Sequence, residues 1–203
     1  MVRRVVVLGA TGVFGSRIAA RLAHDARFEL VLAGRKEASL DALRAALGDA
    51  RLRVHALDTA GADFSKALGA LEPHLVIHAA GPFQGQDYRV AEACIDVGSD
   101  YVDLADGRDF VCGFSRLDEQ ARRAGRLLVS GASSVPALSS AAVDALLPRF
   151  GSLDAIEHAI NPGNRTPRGD ATVASILGYC GRPIRLWRDG RWDVARGWMD
   201  SRL

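Results

Sequence analysis

Three glycines spaced three apart, Gly9, Gly12 and Gly15, follow an apolar run ending at Leu8 and precede a stretch in which Ile18 and Leu22 share one face. A strand-to-helix turn bare of side chains suits one kind of chemistry. It lets a diphosphate reach the backbone, where helix N-terminal amides and the positive end of the helix dipole stabilise the anion. On this reading Gly9 permits the tight turn, Gly12 the approach of phosphate and Gly15 the close packing of helix on strand, with Thr11, Val13 and Phe14 in the same loop. The spacing is one residue longer than G-x-G-x-x-G. A merely glycine-rich turn is the plainer alternative.

Nucleotide choice is read at the end of the second strand, where an NAD site offers an acidic residue to the ribose hydroxyls. Here the strand runs into Gly34-Arg35-Lys36, which places a guanidinium and an ammonium where a 2′-phosphate would sit. NADP is therefore expected over NAD. A charge-assisted contact of this kind is worth about 1.5–3 kcal/mol, roughly ten- to hundred-fold in affinity. Simple solvation of Arg35 and Lys36 is the alternative. Asp58, at the end of the third strand, either accepts from an adenine amino group or caps a helix expected from near Ala60. Ala79, Ala80, Gly81, Pro82 and Phe83 supply small residues, a rigid turn and an aromatic where such a cofactor would pass towards its nicotinamide. Asp106, just beyond the fifth strand, stands at the carboxyl edge where open α/β sheets bind ligands. It is a candidate for catalysis, with loop solvation as its alternative. The remaining catalytic set is unassigned.

Positioning these groups requires strands alternating with helices. Short β-branched runs are expected as strands at Arg4 to Leu8, Glu29 to Ala33, Leu52 to Leu57, Leu75 to Ala79, Tyr101 to Leu104 and Leu127 to Val129. Most are too apolar for a face open to water, so a parallel α/β sheet covered on both sides is expected. Helices are expected around Ile18 and Leu22, along Leu40, Leu43 and Leu47, and at Tyr88 to Val97, Ser115 to Ala124 and Ser139 to Leu147. Gly48, Gly98, Gly125 and Pro148 punctuate their ends. Beyond Phe150 the pattern changes. A strand at Leu153 to Ile160, a loop at Asn161 to Arg168, a helix at Ala171 to Tyr179 and a hairpin turning at Asp189-Gly190 are expected.

Other constellations carry less. His74 and His78 lie four apart on a strand with no third ligand evident, so no metal site is expected. Ser133 and Ser134 do not form G-x-S-x-G; Gly131 to Ser140 reads as a loop over the nicotinamide end followed by a helix cap. No Tyr-x-x-x-Lys pair occurs at Tyr88, Tyr101 or Tyr179, which sets aside the short-chain dehydrogenase mechanism. Arginines 182, 185, 188, 191 and 196 are interrupted by Asp189 and Asp193 and spread over both faces of a hairpin, so they do not read as a nucleic-acid patch. The formal charge of +2 over 203 residues is too mild to imply nucleic acid or anionic membrane as partner. Cys94, Cys112 and Cys180 form no CxxC pair, which fits a reducing cytoplasm. No segment reaches the roughly 20 apolar residues of a membrane span, and glycines interrupt the only run resembling a leader.

Taken together, the GATGVFG loop, the AGR after the second strand, the AAGPF after the fourth, Ala93-Cys94 with Gly98, Tyr101-Val102-Asp103-Leu104 and Ser133-Ser134-Val135-Pro136 resemble saccharopine dehydrogenase-like oxidoreductases, over roughly residues 4 to 190. The resemblance implies a Rossmann-type doubly wound parallel sheet at 1–150 that binds NAD(P), and part of a second α+β domain at 151–203. It implies hydride transfer to or from a carbonyl, imine or enoyl group of a small-molecule substrate held between the domains. Separately, Trp187, Trp192 and Trp198 on and beside the hairpin point to a self-association surface, giving a homodimer through the second domain, or to a face that a missing domain would cover. A non-catalytic NADP-binding module or truncated fragment is the rival reading. A sugar epimerase or isoflavone-reductase-like enzyme shares the glycine loop but not the later motifs.

Overall fold

Val5, Val6, Val7 and Leu8 are each at most 1% exposed, which a strand achieves only when both of its faces are covered. The computed structural model describes residues 2–49, 51–160, 163, 165–167 and 169–200, and it shows what covers them. In chain order the first part runs β1 (Arg3–Leu8), α1 (Val13–Leu22), β2 (Phe28–Gly34), α2 (Glu37–Leu47), β3 (Arg53–Ala56), α3 (Phe64–Gly69) and β4 (Leu75–His78). Then follow α4 (Arg89–Asp96), β5 (Asp100–Asp103), α5 (Arg108–Gly113), α6 (Asp118–Ala124), β6 (Leu128–Val129) and α7 (Ser139–Leu146). The six strands make one sheet in the order β3-β2-β1-β4-β5-β6, with every pair parallel.

Because successive strand side chains point to opposite faces, β1 feeds two separate cores. Val6 and Leu8 join Val31, Ala33, Val76 and Tyr101 beneath Phe64 and Leu68 of α3, Cys94 of α4 and Phe110 of α5. Val5 and Val7 join Leu30 and Leu32 beneath Ala19 of α1 and Leu40 of α2. Each Val or Leu so buried contributes about 1.5–3 kcal/mol relative to exposure, so the apolar run that predicts a double-sided strand is also what holds it. Gly48 and Gly125, with φ of 66° and 64°, end α2 and α6 in the left-handed conformation.

Several boundaries differ from the sequence expectation. The helix expected from near Ala60 begins at Phe64, and α5 was not anticipated; both α3 and α5 have only 6 residues, too few for a helical period to show. The helix expected at Ser115 to Ala124 is divided into a 3₁₀ turn at Phe114–Leu117 and α6. Beyond residue 150 come α8 (Asp170–Gly178), β7 (Pro183–Arg188) and β8 (Arg191–Arg196). The strand expected at Leu153 to Ile160 is not formed. That stretch pairs with no strand among the described residues, and Leu153, Ile156 and Ile160 stand exposed. An apolar run without a neighbouring edge to pair with has no ladder to complete. Of the loop expected at Asn161 to Arg168, positions 161, 162, 164 and 168 lie outside the described residues.

The hairpin is formed as expected. Asp189 and Gly190 have φ of 51° and 71°, the pair of positive values that a two-residue turn of the right-handed twist requires. Trp187 and Trp192 then face each other across the ladder with ring centroids 5.3 Å apart and planes at 80°.

Candidate functional site

Gly9 ends β1 with φ of 77°, and a Cβ there would lie 2.8 Å from the Ala80 amide nitrogen. Only glycine therefore lets the turn after β1 sit against the turn after β4. A Cβ on Gly15 would collide with the Gly9 carbonyl, so α1 rests directly on the end of β1. Gly12 caps α1 and donates its amide to the Gly9 carbonyl at 3.0 Å, and the first helical bond runs from Ser16 to Gly12. The amides of Val13, Phe14 and Gly15 thus belong to the first turn, which has no intrahelical partner to offer them. Thr11 and Phe14 are exposed around them and Val13 is half-buried.

One strand over, Arg35 and Lys36 are exposed between the end of β2 and the start of α2. The parallel register that sets Leu8 beside Ala33 brings this pair to the same sheet edge as the glycine turn. Asp58 is also exposed at that edge. Its carboxylate accepts from the Ala60 amide at 3.1 Å, and it lies well before α3, so of its two expected roles helix capping is ruled out. The side chain closes its own turn instead.

The turn after β4 is braced from behind. The Gln86 side-chain amide donates to the carbonyls of Ala80 at 3.0 Å and Pro82 at 2.6 Å, and its oxygen lies 3.4 Å from His78 Nε2. His78 is buried at the end of β4, edge-on to Phe83 at 5.0 Å. Phe83 belongs mainly to the core, tilted at 57° against Phe110 as well, while Ala79, Gly81 and Pro82 face outwards into a cleft. His74 is exposed, and its Nδ1 accepts from the Arg4 amide. Among the described residues no group of three or more potential metal ligands is gathered.

The cleft has a volume of about 420 Å³ and opens at the carboxyl ends of β1, β4, β5 and β6. Phe14 and Ile18 of α1 form one wall, Gly81 to Phe83 and Leu104 the floor, and Ala132 to Ser134 the opposite side. Asp106 lines it and accepts from Gln84 Nε2 at 3.2 Å. Sequence reasoning missed the roof, because Ala171, Thr172 and Ser175 of α8 come from a distant part of the chain. Ser175 donates to Gln84 Oε1 at 2.7 Å, and Tyr179 Oη accepts from the Arg108 amide at 3.1 Å, which fasten α8 over the opening. The apolar spacing of α8 gave no hint of this use.

A parallel sheet ordered 3-2-1-4-5-6, with a glycine turn at the point where the order reverses, defines a dinucleotide-binding α/β domain. The family model for the saccharopine dehydrogenase NADP binding domain matches residues 5–130, and the chain belongs to this family. Over 104 residues it is 35% identical to a carboxyaminopropylagmatine dehydrogenase from Synechocystis sp., a match covering 50% of this chain and 25% of the relative. A saccharopine dehydrogenase (L-Glu forming) from Saccharomyces cerevisiae is similar in fold, with a TM-score of 0.64 over 96% of this chain and 44% of that one, at 17% identity. A citronellol catabolism dehydrogenase from Pseudomonas aeruginosa PAO1 gives a TM-score of 0.50, covering 63% of this chain and 72% of its own, at 21% identity. The chain thus spans a quarter of the length of the first relative and under half of the second. Among the described residues no helix is long and apolar enough to cross a membrane.

Proposed function

We propose that this chain binds NADP and forms the cofactor-holding part of an oxidoreductase. The observation that carries the reading is the meeting of three strand ends: the glycine turn after β1, Arg35 after β2 and the Ala79–Phe83 turn after β4, all at one sheet edge with a cleft beside them. The residues present fit the group. Gly9, Gly12 and Gly15 leave the first turn of α1 bare, the amides of Val13 and Phe14 would take the pyrophosphate, and Arg35 with Lys36 would take the 2′-phosphate. Asp58 would stand near the adenine, and Ala79 to Pro82 would pass the nicotinamide half into the cleft. When bound, the cofactor supplies or accepts the hydride. The chain's own residues bind it, orient it and shield it beneath α8.

The 35% identity to a named dehydrogenase supports hydride transfer, and a carbonyl, imine or enoyl group is the substrate class we propose for it. A second reading, a cofactor-binding module without turnover of its own, is favoured by one feature. Asp106 is the single acid or base lining the cleft among the described residues, so proton transfer has one candidate donor and that group is exposed.

Fluorescence titration with NADPH and NADH tests the cofactor assignment. Wild-type protein should favour NADPH, and Arg35→Ala should weaken NADPH binding roughly ten- to hundred-fold while leaving NADH unchanged. Equal weak binding of both, unaltered by Arg35→Ala, would discard it. NADPH oxidation with a panel of imines, ketones and enoyl compounds separates the two readings, since turnover removes the module reading.

A further inference from the structure

Asp103 closes β5 with a carboxylate that is fully buried and makes four side-chain hydrogen bonds, all from neutral donors. Its Oδ1 accepts from the Ala105 amide at 2.9 Å, the Gly131 amide at 2.8 Å and Ser130 Oγ at 3.1 Å. Its Oδ2 accepts from Tyr101 Oη at 3.0 Å, and its main-chain carbonyl takes the Ala132 amide at 2.9 Å. Tyr101 is on β5 itself, and the other donors come from two loops. Ala105 belongs to the loop after β5 that carries Leu104 and Asp106 into the cleft, while Ser130, Gly131 and Ala132 lead the loop after β6 into Ser133 and Ser134. Strand β6 is only two residues long, so the ladder alone does little to fix where the second loop stands. Gly131, with φ of 79°, sits where a Cβ would come within 2.9 Å of the Pro136 ring, so this loop is packed into one path.

We propose that Asp103 is a positioning residue which, resting on the cofactor reading above, ties the loops at 104–106 and 130–134 into the wall of the cleft that would receive the nicotinamide half. A buried carboxylate earns its place when its acceptor sites are filled, and the three donors on Oδ1 each fix a group on one of the two loops that lead into that wall. The role is geometric rather than electrostatic. In Asp103→Asn one oxygen can still take the three donors now on Oδ1, and the Tyr101 hydroxyl can accept from the new amide nitrogen. In Asp103→Ala all four donors lose their acceptor.

The adenosine end of the site, at Arg35 and Asp58, is remote from these loops along the sheet, which supplies a control inside the same protein. Titration with NADPH and with adenosine 2′,5′-bisphosphate, alongside the emission spectrum of bound NADPH, reads the two halves separately. Asp103→Ala should bind the bisphosphate as wild type does but lose about tenfold or more in NADPH affinity, together with the emission of a shielded dihydronicotinamide. Asp103→Asn should restore both. Loss of both ligands in equal measure in soluble, folded Asp103→Ala, no change in either, or failure of Asp103→Asn to restore the spectrum would each overturn the role. If Asp103→Ala does not fold, the Asp103→Asn result decides alone. Wild-type protein that binds neither ligand would bring down the underlying cofactor reading as well, a failure visible before any variant is made.

Discussion

His78 is a base that the fold keeps neutral. Burial pushes its imidazole down from 6.5 to about 4, against the opposing influence of the Gln86 hydrogen bond and the nearby Asp103 charge. Because the folded value lies below the unfolded one, the unfolded chain binds the extra proton first. The stability His78 contributes is therefore complete above about pH 6.5 and falls as pH drops towards 4, by about 3 kcal/mol in all. Urea unfolding of wild type and His78→Phe across this range should show a slope in the wild type that is shallower in the variant; parallel curves would mean that other groups set the acid limit. Because Nε2 already faces the Gln86 oxygen, the added proton falls on Nδ1, which is buried without a hydrogen-bond partner, so the penalty lies there and not in the Gln86 brace of the turn after β4.

At the scale of elements, the two parts of the chain are held by different means. The sheet is secured on both faces, whereas β7 and β8 pair only with each other and depend on their turn. Substituting Gly190, at φ of 71°, with alanine forces a Cβ into the left-handed region at a cost of about 1 kcal/mol. Gly190→Ala should weaken the circular dichroism coupling of Trp187 with Trp192 while leaving the main unfolding transition in place; a large drop in that transition would show the hairpin to be integral to the core. The parallel strands could be read from their apolar runs, and the glycine turn, Arg35 and Asp106 from their positions at strand ends. Those signals are local. The roof formed by Thr172 and Ser175, the Gln84 bridge from Ser175 to Asp106 and the four donors on Asp103 were not legible, because each joins groups brought together only by the folded chain. Leu153 to Ile160 misled for the same reason: strand propensity is present, but a partner edge is not.

Over the whole molecule, apolar burial changes along the chain, while the cleft draws its lining from both parts. Through α6 the large apolar side chains are mostly interior, while most of the exposed ones lie between Leu138 and Met199. The six-stranded sheet is secured by two apolar cores, and the cleft takes part of its lining from α8, which is held by the hydrogen bonds of Ser175 to Gln84 and of the Arg108 amide to Tyr179. The account rests on the backbone at the start of α1 receiving a diphosphate. Amide NMR of the labelled chain during NADPH titration tests this most directly. The largest shifts should fall on Gly12, Val13, Phe14 and Gly15, with a second set at Arg35 and Lys36. Shifts confined to other regions, or none at saturating NADPH, would contradict it.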